Sequence, residues 1–364
     1  MKDIKKDPFE EYIRNLPPTR KELGQAWQTA IGLQDVDGLK PSEYLYETAK
    51  KNIDGEISVD EAGDLINSYY ESKDGRTEVE ARTEEADKVS ARIAKILSEK
   101  AFTFSPTQYL SIHRTLFLGI FSHAGKIRDY NFTKKEWVLE GDTVSYGGAS
   151  ELRETLDYDF SQEREFRYNG LTMDEVIHHL AVFISRLWQI HVFEEGNTRT
   201  TAVFLIKYLR MLGFEVENDL FAENSWYFRN ALVRANYNNI KKGVYETTEF
   251  LEKFLRNLLL DEKHELHNRE MHVSGKFLLG HDEPINDPIN DSINDSIKLD
   301  DREQQIIELL REKSDLTRKE MAARLECSDS TVKRCLQSMV EKGVIKRIGS
   351  NKKGEWIILE GKKF

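Results

Sequence analysis

A chain of 364 residues and 42.4 kDa with 39% hydrophobic residues is long enough for two or three folding units and too apolar for a disordered polymer. It has no run of about 18 apolar residues that would span a bilayer, and its charged start does not read as a secretory signal, so the expectation is a cytoplasmic protein with no membrane partner. The net charge of -11 excludes a protein that coats nucleic acid with its whole surface, and Cys327 and Cys335 fit neither a disulfide framework nor a zinc site.

Residues 1–75 read as short helices broken by turns. Pro17-Pro18-Thr19 is a stop followed by a cap, and Leu23, Trp27, Ala30 and Ile31 then recur at helical spacing. After the break at Asp37-Gly38, Ser42 opens a second helix that ends at Asp54-Gly55, and Ser58-Val59-Asp60-Glu61 has the form of a capping box. Residues 76–271 form the largest block. Glu78–Lys100 and Pro106–Phe121 are predicted helices. Trp137-Val138-Leu139 and Thr143–Tyr146, separated by Glu140-Gly141-Asp142, predict a β-hairpin, and the pattern turns helical again from Leu152 to Leu260.

Residues 272–299 carry a four-residue repeat, Pro284-Ile285-Asn286-Asp287 and its successors, which cannot bury a continuous face and reads as a tether. Residues 300–364 predict three helices followed by two strands. This tail holds 15 basic and 12 acidic residues, a net of +3, leaving 38 against 52 and a net of -14 for the rest.

Chemistry concentrates at His191-Val192-Phe193-Glu194-Glu195-Gly196-Asn197-Thr198-Arg199. A helix opened by Thr172-Met173-Asp174-Glu175 runs into His191, and a second begins near Asn197. The loop therefore lies at a helix N-terminus, whose unpaired N–H groups and partial positive charge favour anions such as phosphate. Gly196 lets an anion approach the backbone, Arg199 adds a fixed bidentate charge, Glu195 is placed to hold Mg²⁺, and His191 is the group suited to take a proton near neutral pH. Phe193 anchors the loop. The bland alternative is a polar turn between two core helices. His178 and His179 read as packing or surface residues.

The run His191–Arg199 resembles the signature of Fic-domain proteins, His-x-Phe-x-(Asp/Glu)-Gly-Asn-Gly-Arg-x-x-Arg, and the likeness extends over roughly residues 80–265. It implies a mainly α protein: a Fic helical bundle (76–271) with a β-hairpin flap, a small N-terminal helical module (1–75) and a C-terminal domain (300–364). It also implies an adenylyltransferase that moves AMP from ATP, with Mg²⁺, to a hydroxyl of a target protein or of the chain itself. His191 would deprotonate the hydroxyl and Glu195 would hold Mg²⁺. Asn197 and Arg199, with backbone N–H groups from Glu194 through Gly196 to Thr198, would bind phosphate, and Asn236 and Tyr237 would border the base. The flap, with Trp137, Val138, Leu139, Thr143, Val144 and Tyr146, would bind the target as an added strand.

Two positions depart from the signature: Thr198 replaces Gly, and Ala202 replaces the second Arg. The Doc branch, which transfers phosphate, also lacks that Arg but has Lys where Thr198 stands. The N-terminal module resembles antitoxin modules that inhibit through (Ser/Thr)-x-x-x-Glu-(Gly/Asn), of which Thr29–Gln34 and Asp37-Gly38 are near misses. With Ala202 in place of the inhibitory Glu's partner, the module is expected to hold the domain by packing rather than by that ion pair.

The tail resembles a winged helix-turn-helix. Ser330, Thr331, Lys333 and Arg334 lie on its third helix for a DNA groove, and Lys346, Arg347, Lys352 and Lys353 lie on the wing for phosphate. A basic protein-interaction domain is the alternative. A phosphotransferase of the Doc type and a nucleotide-sensing regulator without turnover remain open as functions. Oligomeric state is equally open, a homodimer included.

Overall fold

The computed structural model describes residues 8–72, 77–216, 220–274, 297–342, 344–348 and 355–358. The N-terminal region folds as α1 (Pro8–Arg14), α2 (Pro18–Gly32), a 3-10 turn at Leu33–Asp37, α3 (Glu43–Ile53) and α4 (Val59–Glu71). Pro17, not Thr19, is the N-cap of α2, and it caps without a side-chain hydrogen bond. Ser42 caps α3, and Ser58 with Glu61 closes a full capping box on α4, as the sequence predicts. Thr77 and Thr172 do the same for α5 (Glu78–Ser98) and α8 (Met173–Ile190).

The remaining helices of the middle block are α6 (Pro106–Phe117), α7 (Leu152–Glu165), α9 (Asn197–Met211), α10 (Leu220–Arg234) and α11 (Glu249–Leu260). Every residue of α9 from Asn197 to Leu209 is buried, which makes it the central helix of the bundle. It packs against α5, α6, α8 and the 33–37 turn. The N-terminal helices are not a separate unit. Trp27, Leu45 and Ile66 belong to the same continuous core as Phe193, Phe204 and Phe228. Gly32 ends α2 so close to α10 that an added Cβ would lie 2.3 Å from the Ala222 Cα, so glycine is what permits this approach.

The predicted β-hairpin is not formed. Trp137–Leu139 is a 3-10 turn, and 143–146 has no strand assignment. The reason is Glu136, which is fully buried, ion-paired to Arg229 at 2.7 Å and bonded by the Tyr146 hydroxyl at 3.0 Å. That inward anchor, followed by the consecutive buried pair Val138 and Leu139, breaks the alternation a strand needs. Glu140 and Gly141, both at positive φ, then close the loop back so that Glu136 N–H bonds the Asp142 carbonyl. Thr143, Val144 and Tyr146 are also buried, and half-buried Trp137 packs edge-on to His272. These six residues thus build the core wall of the loop instead of a free docking edge.

A strand does occur just before this loop. β1 (Asn131–Thr133) pairs antiparallel with β2 (Ile297–Leu299), with Asn131 opposite Leu299. Residues 297–299, expected within the tether, therefore form a strand. Residues 275–296, with the four-residue repeat, lie outside the described residues.

The tail forms α12 (Asp301–Glu312), α13 (Arg318–Arg324), α14 (Asp329–Glu341) and an antiparallel pair, β3 (Ile345–Ile348) and β4 (Glu355–Ile358). Leu299, Ile306, Leu310, Met321, Val332, Leu336, Met339 and Trp356 make its own core. Helix–helix–helix–two strands is the winged-helix order the sequence predicts.

Candidate active site

α8 ends at His191, whose φ of 51° places it in the left-handed region, an uncommon setting for a non-glycine residue. Arg128 stabilises that turn. Its guanidinium donates to the carbonyls of His191 at 2.7 Å, Tyr130 at 2.5 Å and Gly147 at 2.5 Å, while its backbone N–H bonds the Val192 carbonyl. His191 is 4% exposed, and its ring packs against Tyr146, Phe132 and Trp188. Neither ring nitrogen has a hydrogen-bond partner among the described residues. Burial, then the charges of Lys134, Arg128 and Arg229, push the imidazole well below its ordinary range. His191 is thus a neutral base with nothing yet to accept from.

The loop that follows is fixed from inside. Phe193 stacks on His113 at 3.7 Å, and the Asn197 side chain bonds both the N–H and the carbonyl of Phe193. Expected on phosphate, the Asn197 amide is here committed to shaping the loop. The His113 Nδ1 accepts from Gly125 N–H, so its Nε2–H donates to the Glu195 carbonyl at 2.9 Å. Desolvation lowers this imidazole to about 3. Gly196, at φ 76°, is the N-cap of α9, with no side-chain cap bond. A Cβ there would meet the Phe117 ring at 2.4 Å, so glycine is required by packing as well as by backbone angle. The first turn of α9 therefore presents its N–H groups at the loop without a side-chain cap. Thr198 accepts the Trp188 indole N–H at 2.9 Å, tying α9 to α8. Glu194 accepts from the Tyr130 hydroxyl.

Two cations that the sequence pattern leaves unmarked line the same cleft, Lys134 and Arg229. The Lys134 ammonium stands 3.2 Å from the Glu195 carboxylate. Burial raises the Glu195 pKa, against the pull of Lys134. A cation is thus already accepted beside this carboxylate. Among the described residues no cluster of three potential protein ligands exists. A divalent ion held by one carboxylate and completed by phosphate and water fits Glu195, and that is the usual manner of Mg²⁺.

Arg199 does not face an open phosphate site. Its side chain is 2% exposed, lies over the Phe117 ring, and meets three groups from outside the signature loop. The Gln34 amide oxygen accepts from it at 3.0 Å, Glu85 of α5 at 2.6 Å, and an Asp37 oxygen lies 2.7 Å from its Nε without hydrogen-bond alignment. Gln34 and Asp37 come from the 33–37 turn, which Gly38 ends in the left-handed conformation. The sequence predicts an N-terminal module that holds the domain by packing rather than by an ion pair to the second signature Arg. The module also places an ion pair on the first Arg of the signature, while Ala202 stands fully buried where the second would be. The cleft bounded by Asp37, His191, Glu195 and Arg229 has free space for roughly one water molecule.

Asn236 and Tyr237 do not join this cleft. Asn236 bonds the carbonyls of Ser185 and Leu232, and the Tyr237 hydroxyl bonds Asp142 at 2.6 Å, so both serve structure here. His178 and His179 pair with Glu252 and Glu163, away from the loop. On α14, Ser330, Lys333 and Arg334 are exposed and Thr331 is partly so, and on β3 Lys346 is exposed. Lys352 and Lys353 lie outside the described residues.

Residues 103–209 match the Fic/DOC family, and residues 299–346 match a winged helix-turn-helix described as DNA-binding. Residues 103–209 are therefore a Fic/DOC-type domain and the C-terminal segment a winged helix-turn-helix. Among solved structures it resembles a Fic family protein from Desulfovibrio desulfuricans G20, at 12% identity and a TM-score of 0.44, over 96% of this chain and 91% of that one. No curated protein matches. No helix among the described residues is long and apolar enough to cross a membrane.

His113 and His191 are both buried in the neutral form, whereas an unfolded histidine titrates near 6.5. The unfolded state therefore binds more protons below that pH, and stability falls as pH drops, by about 1.4 kcal/mol per pH unit for each histidine. Urea unfolding at pH 7.5 and at pH 5 is expected to show a clear loss at pH 5. Equal midpoints would contradict the neutral burial of these rings.

Proposed function

We propose that the site is a nucleotide-dependent transferase centre acting on a hydroxyl of a target protein or of the chain itself, with AMP from ATP as the group moved. The observation that carries this reading is the neutral, unpartnered His191 beside the uncapped first turn of α9. A nucleotide-sensing site has no need of a buried base, and a merely structural histidine would be hydrogen-bonded.

In this reading His191 takes the hydroxyl proton as the oxygen attacks the α-phosphorus and pyrophosphate leaves. The α9 N–H groups bind phosphate oxygens, and Lys134 and Arg229 offset charge that the absent second Arg cannot. Glu195 would hold Mg²⁺, which neutralises phosphate charge when bound. Asp37 must leave Arg199 before that guanidinium can meet a phosphate, so the described conformation is a resting one. Ala202 keeps phosphate transfer of the Doc type as the second reading.

Mass spectrometry after incubation with ATP and Mg²⁺ tests the reaction. An AMP-sized gain on the protein or a lysate partner, absent in His191→Ala, is expected. A phosphate-sized gain would favour the second reading, and no gain with nucleotide still bound would remove the transferase reading.

We further propose that the tail binds DNA through α14. Lys333→Ala and Arg334→Ala each remove one cation that would neutralise a phosphate. Either change should weaken binding to any sequence and lower the salt slope by about one. A duplex-binding titration against salt that leaves both variants like wild type would exclude this face.

A further inference from the structure

The winged-helix segment does more than follow the transferase core. It sits on the loop next to the catalytic cleft. β2 lies along β1, three residues in antiparallel register, so this strand edge is already hydrogen-bonded by the chain itself. α12 then holds the loop that follows. The Arg311 guanidinium donates to the Ser145 hydroxyl at 2.8 Å and the Thr143 carbonyl at 3.1 Å, and Gln304 donates to the Tyr146 carbonyl at 3.1 Å. Asp301, at the start of α12, accepts from the Asn131 side chain. The bonds to Thr143 and Tyr146 engage main-chain carbonyls, atoms that an incoming extended peptide would otherwise satisfy.

The occupied strand adjoins the chemistry directly. Lys134, the residue after β1, bonds Glu195, and Phe132 and Tyr146 pack against His191. A polypeptide presenting a hydroxyl to His191 would have to lie along this same edge. At the same time Ser330, Lys333 and Arg334 on α14 stay exposed, so holding the loop does not consume the recognition helix.

We infer that residues 297–312 are an intramolecular competitor for the strand edge at 131–133, so that an extended segment of another protein binds there only after the winged helix is displaced. This rests on the proposed transferase reading, in which a target presents its hydroxyl to His191, and it moves the docking edge from the buried 137–146 loop to the strand at 131–133. The competition is for backbone hydrogen bonds and needs no sequence likeness between competitor and target. Arg311 is the side chain whose removal weakens it most, because it bridges α12 to three residues of the loop, Asp142, Thr143 and Ser145, and lies outside the winged-helix core.

Hydrogen–deuterium exchange on the full-length protein tests this without nucleotide or turnover, so its outcome is separate from that of the transferase reading. In Arg311→Ala combined with Gln304→Ala, amides of 131–133 and 297–299 are expected to exchange at least tenfold faster than in wild type. Arg324→Ala, which removes an exposed pair with Glu312, should leave them unchanged and controls for damage to the tail. A synthetic peptide copying residues 295–301, added in excess, should restore protection at 131–133 in the double variant. Amides of 131–133 that exchange as in wild type in the double variant would overturn the inference, as would a freed strand that the peptide leaves unprotected.

Discussion

The buried cluster around Arg199 sets the state of the whole molecule. A guanidinium 2% exposed is costly to desolvate, and two carboxylates and an amide from separate parts of the chain offset that cost. Glu85 belongs to α5, which packs along α9, and Gln34 and Asp37 belong to the turn after α2. The cluster that stabilises the junction between the N-terminal helices and α9 therefore also occupies the group suited to phosphate. With two carboxylates against one guanidinium the cluster is acidic, and in the proposed reading Asp37 withdraws before a polyphosphate binds.

The cleft is assembled from distant segments rather than from the loop alone. His191 depends on Arg128 for its strained backbone, Glu195 on His113 for its carbonyl and on Lys134 for its carboxylate, and the loop beside them on the Glu136–Arg229 pair. In the described state Glu195, Arg199 and Arg229 each have an internal partner, so the centre is organised and closed at once. Tyr237 and Asp142 continue the network toward Arg311, which joins the tail to the same loop.

Much of this is legible in the sequence where the cause is local. Capping pairs at Ser58–Glu61, Thr77–Glu80, Thr172–Glu175 and Thr317–Glu320 mark helix starts because the reciprocal hydrogen bonds involve only four residues. The α8–loop–α9 arrangement follows from apolar spacing around one polar run. The hairpin prediction fails because the loop's fate is decided by Arg229, 93 residues beyond Glu136. Lys134 and Arg229 carry no signal, since a lone cation between apolar residues looks like any surface charge. Asn197 reads as a phosphate-binding side chain, yet its bonds to Phe193 show it shaping the loop, while Thr198, expected to offer its backbone N–H, also ties α9 to α8 through its hydroxyl. Asp37 is visible only as part of a break, because its role requires knowing that the 33–37 turn packs against α9.

The direct test of the account is calorimetric titration of ATP with Mg²⁺ into wild type, Asp37→Ala, and Asp37→Ala combined with Arg199→Ala. If Asp37 holds Arg199 away from phosphate, the single variant binds at least tenfold tighter than wild type and the double variant loses that gain. Equal affinity of Asp37→Ala and wild type would contradict the account.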